Sequence, residues 1–239
     1  MSKSINGFQF KQFTVHHQNT AMKVTTDACI LGAYTDVAEA KNILDIGTGT
    51  GLLSLMLAQR TNAKITAVEV DDNAYQQALE NVQDSIFKEQ IAVFHQSIQD
   101  FTARNKGLSF ELIISNPPFF QNHLKSQQEK RNMALHTDTL SFEDLIASVI
   151  QLLAPAGQFV VLLPAYESSV LEILALEKGL YPQKKLLIRH RKESKILRII
   201  TTFGLAKKEL AQEELIIRNL DESYTAQFET LLKAYYLIF

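Results

Sequence analysis

Apolar and polar residues change rhythm several times along the chain, and from residue 42 onward the rhythm is that of strands alternating with helices. Short apolar runs bounded by turn residues occur at 42–46 (NILDI), 64–70 (KITAVEV), 91–96 (IAVFHQ), 110–115 (FELIIS) and 158–163 (QFVVLL), and each reads as a strand. Between them, apolar residues recur at helical spacing over 51–59, 73–84 and 142–153; Ser141, with Asp144 three residues on, opens the last of these. Strands separated by helices imply parallel crossovers, and so an α/β fold with a doubly wound, mostly parallel sheet. A further helix is expected over 166–177, closed by Gly179. The runs KKLLIRH, ILRIITTFG and EELIIR then follow one another without a helix, which predicts an antiparallel C-terminal edge. An amphipathic helix over 225–236 ends the pattern. In the first forty residues a helix over 27–34, capped by Thr26 or Asp27, is expected.

With 239 residues, 46% hydrophobic and 21% charged, the chain can bury a sizeable core as a single domain. A formal net charge of −2 gives no global attraction for a polyanion, so any nucleic acid must be held by a local patch. Cys29 is the one cysteine, which excludes an internal disulfide and a paired-cysteine zinc site. The six histidines lack metal-ligand spacing, and no metal is expected. No apolar run approaches the roughly 18 residues that span a bilayer, and the N-terminus lacks a signal-peptide core. A cytoplasmic location is expected.

The candidate chemistry begins where the first parallel strand meets its helix, at LDIGTGTGLLSL. Gly47, Gly49 and Gly51 let the backbone approach a ligand closely. A dinucleotide loop, G-x-G-x-x-G, would want glycine where this chain has Leu52. The G-x-G-x-G spacing after Asp45, with Thr48 inside it, resembles the cofactor loop of S-adenosylmethionine-dependent methyltransferases. That cofactor carries an ammonium and a sulfonium and no phosphate, and an acid beside the loop suits a cation. Glu69, at the end of the second strand, is placed to accept both ribose hydroxyls. The resemblance gives Asp100, after the third strand, the adenine amino group, although the same acid could equally be a helix cap.

Beyond the fourth strand lies SNPPFF. An exocyclic amine on a base is a poor nucleophile because its lone pair is spread into the ring. Acceptors on its two N–H bonds, the Asn116 side-chain oxygen and the Pro117 carbonyl, would pull the nitrogen toward tetrahedral geometry. Pro117 and Pro118 stiffen the loop, and Phe119 offers a face for a flipped base. In the class I methyltransferase fold, a Rossmann-like architecture, this strand end faces the cofactor methyl group. Amino-methyltransferases acting on adenine N6, guanine N2 or a protein glutamine amide share this order of motifs.

FKQFTVHHQNTAMKVTTDACILGAY, SNPPFF and YTAQFETLLKAYYL together resemble the bacterial tRNA1(Val) adenine N6-methyltransferase family over nearly the whole chain. The resemblance implies methylation of adenine 37 of a tRNA, with S-adenosylmethionine as donor. It also implies a division into a covering segment 1–40 that carries Lys23 and Thr26 to the cofactor, a cofactor-binding and catalytic core 41–165, and C-terminal helices and antiparallel strands 166–239. The family often has tyrosine at the position of Phe119. For the tRNA, Lys184, Lys185, Arg189, Arg191, Lys192, Lys195 and Arg198 stand against the single acid Glu193. The loop 121–139 follows the catalytic motif and is long enough to order around a substrate. A monomer is expected. The rival readings are a glutamine N5-methyltransferase, a ribosomal guanine N2-methyltransferase and a non-catalytic RNA-binding protein.

Overall fold

In a computed structural model of the protein, residues 7–18, 23–118 and 140–239 are described. An eight-stranded sheet organises them. Its strands are β3 (Asn42–Ile46), β4 (Lys64–Glu69), β5 (Ile91–His95), β6 (Phe110–Ser115), β7 (Leu153–Leu163), β8 (Tyr181–Arg189), β9 (Ile196–Gly204) and β10 (Ala211–Ile216), in the order β10-β8-β9-β7-β6-β3-β4-β5. The strands from β5 through β7 pair in parallel. They are joined through α2 (Leu52–Ala58), α3 (Asp72–Gln83), α4 (Ile98–Arg104) and, before β7, α5 (Phe142–Leu152). From β3 the chain moves outward through β4 to β5 and then returns to β6 on the other side. The β3–β6 boundary is therefore the switch point, where such sheets hold ligands at the carboxyl ends of their strands.

The expected antiparallel edge is present as the β7–β9 and β8–β9 pairs. One detail differs: β10 joins β8 in parallel, so β9 alone runs against the rest of the sheet. Each sheet face has its own apolar cluster. Ile43, Leu112 and Val160 face Leu55 of α2, Leu31 of α1 (Thr26–Tyr34) and Phe228 of α7 (Ala226–Leu232). Leu44, Ile113 and Val161 face Phe101 of α4, Leu145 of α5 and Leu171 of α6 (Ala165–Glu177). Burial of each such side chain contributes about 1.5–3 kcal/mol.

Several boundaries move for local reasons. α1 starts at Thr26 and is capped by Thr25, whose hydroxyl accepts the Ala28 N–H at 3.3 Å, rather than by Thr26 or Asp27. α3 is capped by Asp71, and α2 by Gly51 in the left-handed conformation. β7 begins at Leu153, directly after α5. Two elements go beyond the sequence pattern. The hairpin of β1 (Gly7–Gln9) and β2 (Thr14–His16) is too short for a period to register. Helix α4 (IQDFTAR) is only seven residues, about two turns, and buries just Ile98, Phe101 and Thr102 behind the Ser97 cap, too short a run for a helical period to register. Phe10, Phe13 and Tyr236 pack in one buried cluster that ties the N-terminal hairpin to the C-terminal segment.

Candidate active site

The glycine loop leaves β3 at Ile46 and folds back over β4, where the Gly47 and Thr48 N–H groups both donate to the Val68 carbonyl, at 2.9 and 3.1 Å. Gly47, Gly49 and Gly51 all have positive φ (68°, 59° and 80°), which an L side chain adopts only with strain. Among the described residues, a Cβ on Gly47 or Gly49 would meet nothing within 4 Å, so the loop borders open space there; one on Gly51 would sit 3.6 Å from Ala78 of α3.

Beneath the loop Asp45 is fully buried. Its Oδ2 accepts the hydroxyls of Thr48 (2.6 Å) and Ser54 (2.7 Å), and its Oδ1 has no partner among the described residues. Burial pushes its pKa up to about 6 against the opposing hydroxyl bonds, and the nearby Glu69 charge adds to the rise. Ser54 was hidden in the sequence as one small polar residue within the apolar run LLSLMLA; a buried hydroxyl there needs a partner, and Asp45 is that partner. Thr48 turns its hydroxyl inward, so the face it can offer a ligand is its backbone. Glu69 is held more tightly still. Its Oε2 accepts the Gly49 N–H at 2.8 Å, and its Oε1 accepts those of Val70 and Asp71 at 2.9 and 3.0 Å.

Asn116 enters from the neighbouring strand. Ile46 is in register with Ser115, and the Ser115 hydroxyl donates to the Ile46 carbonyl at 2.9 Å. Gly47 and Asn116 therefore leave adjacent strands at the same level, one strand spacing of about 4.8 Å apart. The Asn116 Oδ1 is buried and has no partner among the described residues, Pro117 is buried and Pro118 is exposed. Phe119 and the loop 121–139 lie outside the described residues. The orphaned buried Asp45 Oδ1 and the open space at two glycines fit a cationic, hydrogen-bond-donating ligand, as S-adenosylmethionine is, and the Asn116 Oδ1, one strand away, is left as an acceptor for a second molecule.

The remaining candidates sit farther out. Lys23 and Thr26 are exposed at the approach to α1. Asp100 lies in the first turn of α4, where it exchanges hydrogen bonds with Ser97: its Oδ2 accepts the Ser97 hydroxyl at 2.9 Å, and its N–H donates to Ser97 Oγ at 3.0 Å. The seven basic residues are largely answered by acids remote in sequence. Lys184 pairs with Glu213 (3.0 Å), Lys185 with Glu172 (2.5 Å), Arg189 with Glu214 (2.5 Å), Arg191 with Glu222, and Arg198 with Asp27 (3.2 Å). Lys192 and Lys195 are exposed in the β8–β9 turn and make no ion pair among the described residues. Ser115 is level with Val161, Thr201 and Lys185 across the sheet. Residues 186–189 therefore carry that turn about 13 Å past the strand end that presents Asn116.

A glycine loop and an N-P-P exit side by side at the switch point of a mostly parallel sheet, with the Glu69 carboxylate bonded to the loop, are the arrangement of a class I S-adenosylmethionine-dependent methyltransferase. Residues 23–165 match the methyltransferase small domain. The chain is 44% identical over 237 residues to the tRNA1(Val) (adenine(37)-N6)-methyltransferase of Dyadobacter fermentans, covering 97% of this chain and 98% of that one. It is 41% identical to the protein of the same name from Bacteroides fragilis, covering 96% and 97%. Among solved structures, a predicted O-methyltransferase from Agrobacterium tumefaciens superposes with a TM-score of 0.67 at 20% identity, over 87% of this chain and 96% of that one, a likeness of fold. The chain belongs to the tRNA1(Val) (adenine(37)-N6)-methyltransferase family. No helix among the described residues is long and apolar enough to cross a membrane, and no group of three or more His, Cys, Asp or Glu side chains there could hold a metal.

Proposed function

We propose that this protein methylates N6 of adenine 37 in tRNA1(Val), as a cytoplasmic, monomeric enzyme that needs no metal. The observation that carries the chemistry is the Asn116 Oδ1, buried, unpartnered among the described residues and one strand from the glycine loop. An unmet buried acceptor costs about 1–3 kcal/mol, and a substrate N–H relieves it. Bound S-adenosylmethionine supplies an electrophilic methyl carbon on a sulfonium. Asn116 and the Pro117 carbonyl accept the two N–H bonds of the adenine amine and orient its lone pair, and Pro117 and Pro118 keep those acceptors fixed. Phe119 stacks on the flipped base. Asp45, Gly47, Thr48, Gly49, Gly51 and Glu69 form the cofactor cradle, with Asp100, Lys23 and Thr26 at its margins. The amine proton leaves to solvent after transfer.

The segment 1–40 covers the cleft, 41–165 binds and reacts, and 166–239 supports the tRNA. Within the basic stretch, Lys192 and Lys195 meet tRNA phosphates directly, while Lys184, Lys185, Arg189, Arg191 and Arg198 shape the surface through their ion pairs. Nucleoside mass spectrometry of tRNA from cells lacking the protein tests the assignment. N6-methyladenosine should vanish from tRNA1(Val) and return with the wild-type chain but not with Asn116→Ala, whose cofactor affinity should stay within about twofold. Retention of the modification in the deletion strain defeats the proposal.

A further inference from the structure

α3 turns four side chains into the fold, and two of them, Gln77 and Asn81, are carboxamides. Asn81 reaches the glycine loop. It is 1% exposed, so every polar atom must be met inside the protein. All are. Its Nδ2 donates to the Thr50 carbonyl of the glycine loop and to the His16 carbonyl of β2, both at 2.9 Å, and its Oδ1 accepts the His16 N–H at 2.9 Å. Only this orientation of the amide matches two carbonyls with two donors. Thr50 lies between two positive-φ glycines, and Gly49, on its other side, is held by Glu69. The loop is thus clamped from both flanks, and the clamp on the α3 side is the same group that docks the N-terminal hairpin.

We infer that Asn81 is a positioning residue for cofactor binding: it fixes the Thr50 carbonyl, keeps the glycine loop in its ligand-ready form and makes the β1–β2 hairpin respond to the cofactor. This assignment rests on the glycine loop being the S-adenosylmethionine loop. Asn81→Asp keeps the volume and the acceptor for His16 N–H but sets carboxylate oxygens against two carbonyls. Its S-adenosylmethionine Kd by calorimetry should rise about tenfold or more, with kcat at saturating cofactor within about twofold and KM for tRNA unchanged. A purely structural role would instead lower the active fraction and leave Kd alone. Asn81→Ala, which adds no charge, should show the same split at smaller size. In the wild-type enzyme, saturating S-adenosylmethionine should slow hydrogen exchange of the His16 amide, a measurement that needs no variant to fold. An unchanged Kd in both variants, or a His16 amide indifferent to cofactor, overturns the inference. Glu69→Ala separates the two layers. If it too leaves Kd unchanged, the cofactor-loop reading fails; if it alone weakens binding, only the role of Asn81 fails.

Discussion

Asp45 and Asn116 each leave one buried oxygen unmet among the described residues, and Asp45 yields the sharper solution test. Its carboxyl titrates near 6 in the folded chain against 3.8 for an ordinary aspartate, because burial disfavours the ionised form. Between those values the native state binds more protons than the unfolded chain. The Asp45 contribution to stability therefore falls as pH rises from about 4 to about 6 and is level above that, by roughly 3 kcal/mol in all. Urea unfolding of ligand-free wild type and Asp45→Asn across pH 4–8 should give a difference with this slope. Cofactor affinity runs the opposite way. If Asp45 faces the cofactor as proposed, the cationic ligand favours the ionised carboxylate, so S-adenosylmethionine binding should weaken below about pH 6 in wild type and stay nearly flat in Asp45→Asn.

Among the elements, the glycine loop was legible because its requirement is local: three positive-φ positions between a strand and a helix call for glycine wherever the rest of the chain lies. Gly49→Ala would combine strain of about 1 kcal/mol with a methyl group in the space open beside the loop. A loss of S-adenosylmethionine affinity larger than the loss of thermal stability is expected, measured by calorimetry and differential scanning. The β1–β2 hairpin and α4 were not legible. Three-residue strands carry no period, and the SIQD segment that caps α4 also places Asp100 where an adenine-binding acid was expected. The cap of α1 differs by one position because three consecutive residues, Thr25, Thr26 and Asp27, are all of capping type, and Thr25 is the one whose hydroxyl meets the Ala28 N–H.

Across the whole molecule, charge is where folding changed the picture most. Seven cations against one acid within residues 184–198 form a basic patch only in one dimension; Glu172, Glu213, Glu214, Glu222 and Asp27 arrive from four other segments. The pairs also differ in depth. Lys185 and Glu172 are mostly buried, with side chains 16% and 22% exposed, whereas Lys192 and Lys195 face solvent. Lys192→Glu combined with Lys195→Glu should raise KM for tRNA and flatten its dependence on salt, with kcat and melting temperature little changed. Lys185→Ala should instead lower the melting temperature, because it strands the Glu172 carboxylate, and leave the salt dependence intact. Steady-state kinetics at several salt concentrations and thermal denaturation separate the two classes.

The sequence by itself determined the alternation of strands and helices, the glycine loop and its acids, and the N-P-P exit. Each is set by backbone dihedrals or by a period of two or three to four residues, which neighbours in the chain suffice to impose. Only the tertiary structure decided which carboxylate meets which cation, that β10 lies parallel to β8, and that Asn116 reaches the level of Gly47. Those outcomes depend on strand order and register, which bring together residues tens to hundreds of positions apart and leave no local trace in the order of amino acids.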